Sequence, residues 1–384
     1  MNDGASVTED REFVVVGAGL LGLAAARALA ARGRDVVVFE QAGVGNTGGG
    51  SHGSARIFRL GYSDPEYVAM ARRARGAWRD LEATVGQQFL VPTGQLSFGE
   101  QLPGLRNALR EAGAPFEELT AGEAAKRFPA VVTGGPCLYE AESCVIAADR
   151  VLAALAAAAP DLRTGQPVTG VEPGRDRVSV HAGGSRVSAR AAVVCAGPWT
   201  RPLLAGMVEV PTAATLEQVA YVARAGSHPG NRASPPIFLR HGGRGHYGLP
   251  VPGSDLVKVG LHPSALGARP GMAGPVISPG EEDRGEDAGL RQEIMATVRQ
   301  HLPGFDPVPV TTERCVYDNS PDEDFIVDRA DPLVIGCGTS GHGFKFGPLL
   351  GEWLADLATG REPRGMPARF SLARFGSAKT VRAW

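Results

Sequence analysis

The stretch REFVVVGAGLLGLAAARALAARGRDVVVFEQ, residues 11–41, constrains the fold more than any other part of the chain. Val14, Val15 and Val16 form a continuous β-branched run of the kind buried on both faces of a parallel sheet. Gly17, Gly19 and Gly22 follow as G-x-G-x-x-G, with Leu20 and Leu21 opening an alanine-rich helix that Gly33 can end. A second strand, DVVVFE, finishes on Glu40. Each position has a mechanical task. Gly17 permits the turn, Gly19 lets a pyrophosphate approach the backbone, and Gly22 lets helix and strand pack closely. The helix N-terminus offers free N–H groups to phosphate, and an acid at Glu40 accepts hydrogen bonds from ribose hydroxyls. The pattern predicts a dinucleotide-binding unit. An acid in that place argues against a 2′-phosphate but does not separate NAD from FAD.

The chain has 384 residues, 43% of them hydrophobic, which is ample for more than one folding unit. A formal charge of −2 gives no reason to expect nucleic acid or an anionic membrane as partner. The 52 glycines, nearly twice the usual share of ~7%, fall in clusters such as GNTGGGSHG, which implies loops and close backbone approach to a ligand. Cys137, Cys144, Cys195, Cys315 and Cys337 show no metal-type spacing and are too few for a disulfide scaffold. Reduced thiols in a cytoplasm and no metal are therefore expected. The N-terminus is polar and acidic, unlike a signal peptide, and no apolar run reaches the ~18 residues of a membrane span. A soluble protein is expected.

Two later segments favour FAD over NAD. ARAAVVCAGPWT, residues 189–200, reads as a buried strand running into Gly197 and Trp199, as where a strand passes beneath a flavin. Val168 is expected to line the same site. VIGCGTSGHGFKFGPLLGEWLADLATG, residues 334–360, reads as a strand, a glycine loop holding Gly341, Gly343 and Phe344, and then a helix. Leu349, Leu350, Trp353, Leu354 and Leu357 give that helix one apolar face, and Gly360 closes it. A helix N-terminus behind such a loop can stabilise an anion, which makes the last 60 or so residues part of the nucleotide unit.

Four separated motifs, GSHGSARIFRLGY, LVKVGLH, RCVYDNSPDEDFIVD and SGHGFKFGPLLGEWL, together resemble the monomeric sarcosine oxidase and N-methyltryptophan oxidase family of D-amino-acid-oxidase-like flavoproteins. The resemblance runs from Phe13 to about Phe375. It implies FAD tethered through the Cys315 sulfur to the flavin 8α-methyl group. It implies that Arg59 and Lys345 grip a substrate carboxylate, and that Lys258 stands near flavin N5 and activates O2. It also implies that His262 and Tyr247 shape the substrate site, while Ser51, His52 and Arg56 lie near the ring. This chain has Ser51–His52 where the family often has paired histidines. Taken by themselves, Cys315 reads as a small buried hydrophobe, Arg59 and Lys345 as solvated, and Lys258 as marking an exposed strand face. Alternation along the hairpin between Tyr247 and His262 could bring Tyr247, Lys258 and His262 onto one face.

The expected architecture is α/β, an FAD-binding Rossmann-like domain interleaved with a mostly antiparallel-sheet substrate domain. The FAD domain is predicted at 1–84, 146–214 and 314–384, and the substrate domain at 85–145 and 215–313. PEYVAMARRARGAWRDLEATVG reads as a helix with Tyr67, Met70, Ala71, Ala74, Trp78 and Leu81 on one face, and residues 267–289 as a polar connector before a helix at LRQEIMATVRQHL. The resemblance implies a monomeric oxidase of N-methyl or cyclic secondary amino acids. A hydride equivalent passes to flavin N5, an imine forms, and O2 is reduced to H2O2. The alternatives are a biosynthetic tailoring oxidase or desaturase of a pipecolate-like, proline-like or larger amine, a flavin dehydrogenase serving a partner, and an NAD-dependent dehydrogenase.

Overall fold

In the computed structural model, which describes residues 8–226, 234–262, 275–278, 280–281 and 285–376, the valine run lies inside a parallel sheet. Strand Thr8–Val16 pairs in parallel with Val36–Phe39 on one side and with Ser185–Val194 on the other. The end of Ser185–Val194 pairs in parallel with Leu333–Cys337, so a strand from the last part of the chain completes the layer. Helix Leu20–Ala31 covers this sheet and packs on helix Gly347–Ala358. The contact is close because the second helix offers glycine. A Cβ built on Gly351 would lie 2.6 Å from the Ala24 carbonyl carbon. That contact ties the C-terminal segment to the first βαβ unit.

The chain divides into two compact units, Met1–His52 with Val151–Ala214 and Val316–Trp384, and Gly53–Arg150 with Thr215–Cys315. The second unit is built on a mainly antiparallel sheet. Its central order is Ala213–Arg224, Val257–Leu261, His246–Pro250, Ile237–His241, Gln95–Gly99 and Cys137–Glu140. One face buries Ala220, Val222, Phe238, Val257, Val259 and Leu261 against Ile294, Met295 and Val298 of helix Ala288–His301. The other face carries the polar side chains described below.

Residues 53–84, assigned from the sequence to the first domain, group instead with the second unit. The cause is strand pairing: Ala55–Phe58 is antiparallel to Cys144–Ala147, which also pairs with Leu90–Pro92. Helix Pro65–Val85 follows, capped by the Asp64 side chain at its start and by Gly86 at φ +72° at its end. It buries Tyr67, Met70, Ala71, Ala74, Trp78 and Leu81, the predicted stripe. The connector 267–289 lies largely outside the described residues. Its described part includes a short strand, Val276–Ile277. Among the described residues no helix is long and apolar enough to cross a membrane.

Two glycine-to-alanine changes of opposite sign test this packing. At Gly76, inside helix Pro65–Val85, nothing described lies within 4 Å of an added Cβ, so Gly76→Ala should stabilise by about 0.5–1 kcal/mol. Gly351→Ala must push the two helices apart and should destabilise by about 1–3 kcal/mol in spite of the better propensity. Urea midpoints check both, and a stabilised Gly351→Ala would refute the close helix contact.

Candidate functional site

The first unit carries a groove lined by Gly17, Gly19, Glu40, Ser51, His52, Val168, Gly197 and Trp199. Gly17 has φ +96°, and an added Cβ would lie 2.5 Å from the Cys195 carbonyl oxygen. At Gly22 the Cβ would lie 1.9 Å from the Gly17 carbonyl, so both positions exclude any side chain. Helix Leu20–Ala31 has Gly19 as its N-cap and no acid in its first turn, where Leu21 also sits. Its positive end is capped from a distance, as the Leu20 N–H donates to Ser51 Oγ at 3.1 Å. Glu40 is buried at the end of its strand and accepts from the Ala18 N–H at 2.8 Å and the Ala42 N–H at 3.0 Å. His52 is buried, and its Nδ1 donates to the Gly49 carbonyl at 2.7 Å.

Farther along this unit, Gly341 meets the Tyr317 ring so closely that a Cβ would lie 2.1 Å from it. Gly343 then leads into the turn Phe344–Phe346 ahead of helix Gly347–Ala358. Lys345 is 5% exposed, which removes the solvated-loop alternative, and its Nζ donates to the His342 carbonyl at 2.7 Å.

The remaining candidates belong to the second unit, and strand register decides which share a face. Tyr247 pairs with Gly260, Leu249 with Lys258, and Tyr221 with Lys258. Paired and alternate residues point the same way. Lys258, His262, Tyr247 and Tyr221 therefore share the face opposite the helix. Gly260 makes the arrangement possible. A Cβ there would lie 2.6 Å from the Tyr247 hydroxyl, so the phenol lies across the strand between Lys258 and His262.

Lys258 is buried at 3% exposure, not displayed on an outer face, and its Nζ lies 3.4 Å from the Ala55 carbonyl. Charged ends converge near it: a Cβ on Gly53 would lie 3.3 Å from Arg56 Nη1, 3.4 Å from Glu313 Oε2 and 3.7 Å from Lys258 Nζ. Burial, then Arg56, push the ammonium down to about 8, while Cys315 and Glu313 hold it up. Tyr221 donates to Glu313 Oε2 at 2.7 Å, and its phenol is pushed up by burial and by that carboxylate. Cys315 is buried two residues beyond Glu313 on the strand Phe305–Asn319, which puts both side chains on one side.

Arg59 is seated by residues that the sequence does not mark. Its guanidinium lies 4.2 Å from the Tyr62 ring centroid and donates to the Gly61 carbonyl. Glu140, fully buried, accepts from the Gly61 N–H at 2.8 Å, from Gln95 Nε2 at 3.0 Å and from Ser97 Oγ at 3.5 Å. Burial pushes the Glu140 carboxyl up, while Arg59 and the N–H groups of Gly61 and Leu60 pull it down. Glu140, Gln95, Ser97, Tyr221, Glu313 and His241 are the residues sequence reasoning misses. Only Glu313 carries a local signal, its i, i+2 spacing to Cys315 on a strand. On the first unit, Asp318 is also buried. Its carboxyl is pushed up to about 6 by burial, against the Gly338 N–H at 2.6 Å.

A family model described as FAD dependent oxidoreductase matches residues 12–357. The peroxisomal sarcosine oxidase of Homo sapiens is 34% identical over 390 residues, covering 95% of this chain and 96% of that protein. The monomeric sarcosine oxidase of Streptomyces avermitilis is 31% identical, covering 94% and 98%. Among solved structures, the open form of NikD, an unusual amino acid oxidase essential for nikkomycin biosynthesis, superposes with a TM-score of 0.80 at 25% identity, covering 94% of this chain and 97% of that one.

Glu140→Gln places an amide NH2 against one of two N–H donors, Gly61 or Gln95. It should destabilise by about 1–3 kcal/mol, read as a lower urea midpoint. An unchanged midpoint would show that the carboxylate does not seat the Arg59 turn.

Proposed function

Because the chain belongs to the FAD dependent oxidoreductase family, we propose that it oxidises secondary amino acids, N-methylated or cyclic, to the imine and passes the electrons to O2 as hydrogen peroxide. The observation that carries this reading is the single sheet face that sets the buried Lys258 ammonium beside Tyr247 and His262. The sarcosine oxidases among its relatives support the substrate class.

FAD fits the groove on the first unit. Gly17 and Gly22 leave no room for side chains, the helix N-terminus is free of acids, and Glu40 is held buried at the groove's edge. Gly17, Gly19, Leu20, Leu21, Gly22, Glu40, Ser51, His52, Val168, Gly197 and Trp199 would hold the cofactor, with Gly341, Gly343, Phe344 and Lys345 beyond them. When bound, the flavin supplies the acceptor for the hydride beside the substrate nitrogen.

The chain's own groups supply position and charge. The Arg59 guanidinium suits a substrate carboxylate, which it can bind through two parallel N–H groups. The Tyr247 phenol covers Gly260 and, with His262 two residues on, would form one wall of the substrate site. O2 takes on negative charge as it is reduced, and the Lys258 ammonium, shielded from water, stabilises that charge. Cys315 is proposed as the point of covalent attachment, through an 8α thioether, whose formation would release the thiol proton and one 8α proton, with the two electrons passing through the flavin to O2. The nearby Lys258 ammonium favours its thiolate, the form that reacts.

Two experiments test this. In a denaturing gel the wild-type band should keep flavin fluorescence and Cys315→Ala should lose it; free flavin from the wild type would refute the tether. In stopped flow, Lys258→Met should slow reoxidation by roughly 10²–10³-fold while anaerobic bleaching by N-methyl amino acids stays within a few-fold. Since only the protonated amine serves, wild-type reoxidation should also fall as pH rises through about 8. Equal loss in both half-reactions would rule out this role for Lys258.

A further inference from the structure

Two histidines stand at one end of the same sheet face. Arg240 pairs with His246, and His246 with Leu261. One step beyond that row stand His241, Gly245 and His262, where the His262 N–H donates to the Gly245 carbonyl at 3.0 Å. Gly245 adds no side chain between them, and a Cβ there would lie 2.4 Å from the His262 carbonyl oxygen. His241 lies two residues past Leu239, which pairs with Tyr247, so it shares the face of Tyr247 and Lys258. Its Nε2 is buried and, among the described residues, has no hydrogen-bond partner. Burial, then the charges of Arg59 and His262, push the imidazole down to about 3, so it is neutral at working pH.

A buried polar atom without a partner is unfavourable, and in a binding face the missing partner is what the ligand brings. The geometry points to His241 as a substrate-reading residue, whose Nε2 hydrogen-bonds a polar substituent that the amino acid carries away from its carboxylate. A neutral imidazole can donate or accept, so a hydroxyl or a ring N–H fits equally. The inference rests on the proposed function and narrows its substrate class: a secondary amino acid with a polar side chain or ring, in preference to an unsubstituted one such as sarcosine.

The test uses holoenzyme and matched probes. Benzoate and its 3- and 4-hydroxy derivatives are titrated against the flavin absorbance, and kcat/KM is compared for N-methylphenylalanine and N-methyltyrosine. The wild type should favour a hydroxylated member by roughly ten-fold. His241→Phe should erase that preference and leave the unsubstituted member within about three-fold. His241→Gln, which keeps a polar end, should retain part of the preference and guards against a folding artefact. Equal affinity within both pairs for the wild type, or equal loss of both members in His241→Phe, overturns the assignment while leaving the oxidase reading intact. If no acid perturbs the flavin and no amine bleaches it, the oxidase reading falls and takes this one with it.

Discussion

A lysine ammonium inside a sheet is tolerated only where other groups replace the water it loses. Lys258 meets that condition through the Ala55 carbonyl, while the Glu313 carboxylate, fixed by the Tyr221 hydroxyl, favours its charge from farther off. The strand Ala55–Phe58 must therefore lie over the sheet face that holds Lys258. That requirement agrees with the strand pairing that places residues 53–84 with the second unit. A segment that looks like the tail of the nucleotide motif in sequence is, physically, part of the polar lining of the other unit.

The same condition separates what the sequence shows from what it hides. The opening βαβ unit is legible because its elements are contiguous and its glycines recur at fixed spacing. The common face of Tyr247, Lys258 and His262 is legible because a hairpin alternates with period 2. Glu140 is not. It lies 79 residues from the Gly61 amide it accepts from, and one carboxylate at the end of a short strand has no periodicity to betray it. His241 fails for a related reason, since its place depends on where the next turn returns the chain. Lys345 and Lys258 read as solvated from composition alone. They are buried because each has main-chain carbonyls within reach, which residue type does not encode.

Charge on the sheet face follows from these placements. Among the described residues, Arg56, Arg59 and Lys258 are its cations, and Glu140, Glu217 and Glu313 its carboxylates, with His241 neutral. Each carboxylate is already engaged by hydrogen-bond donors, Glu140 by Gly61, Gln95 and Ser97, Glu217 by Thr215 and Glu313 by Tyr221. The formal count balances, yet one cation is held less firmly than the rest. Lys258 is that cation, because burial and Arg56 both work against its proton. An anion bound on this face opposes Arg56 and raises Lys258 again. By reciprocity, protonated Lys258 binds the anion more tightly than the neutral amine does. In the proposed reaction, substrate binding and the charge offered to O2 would be coupled through one side chain, so that the acid group positioning the amine would also keep the ammonium charged.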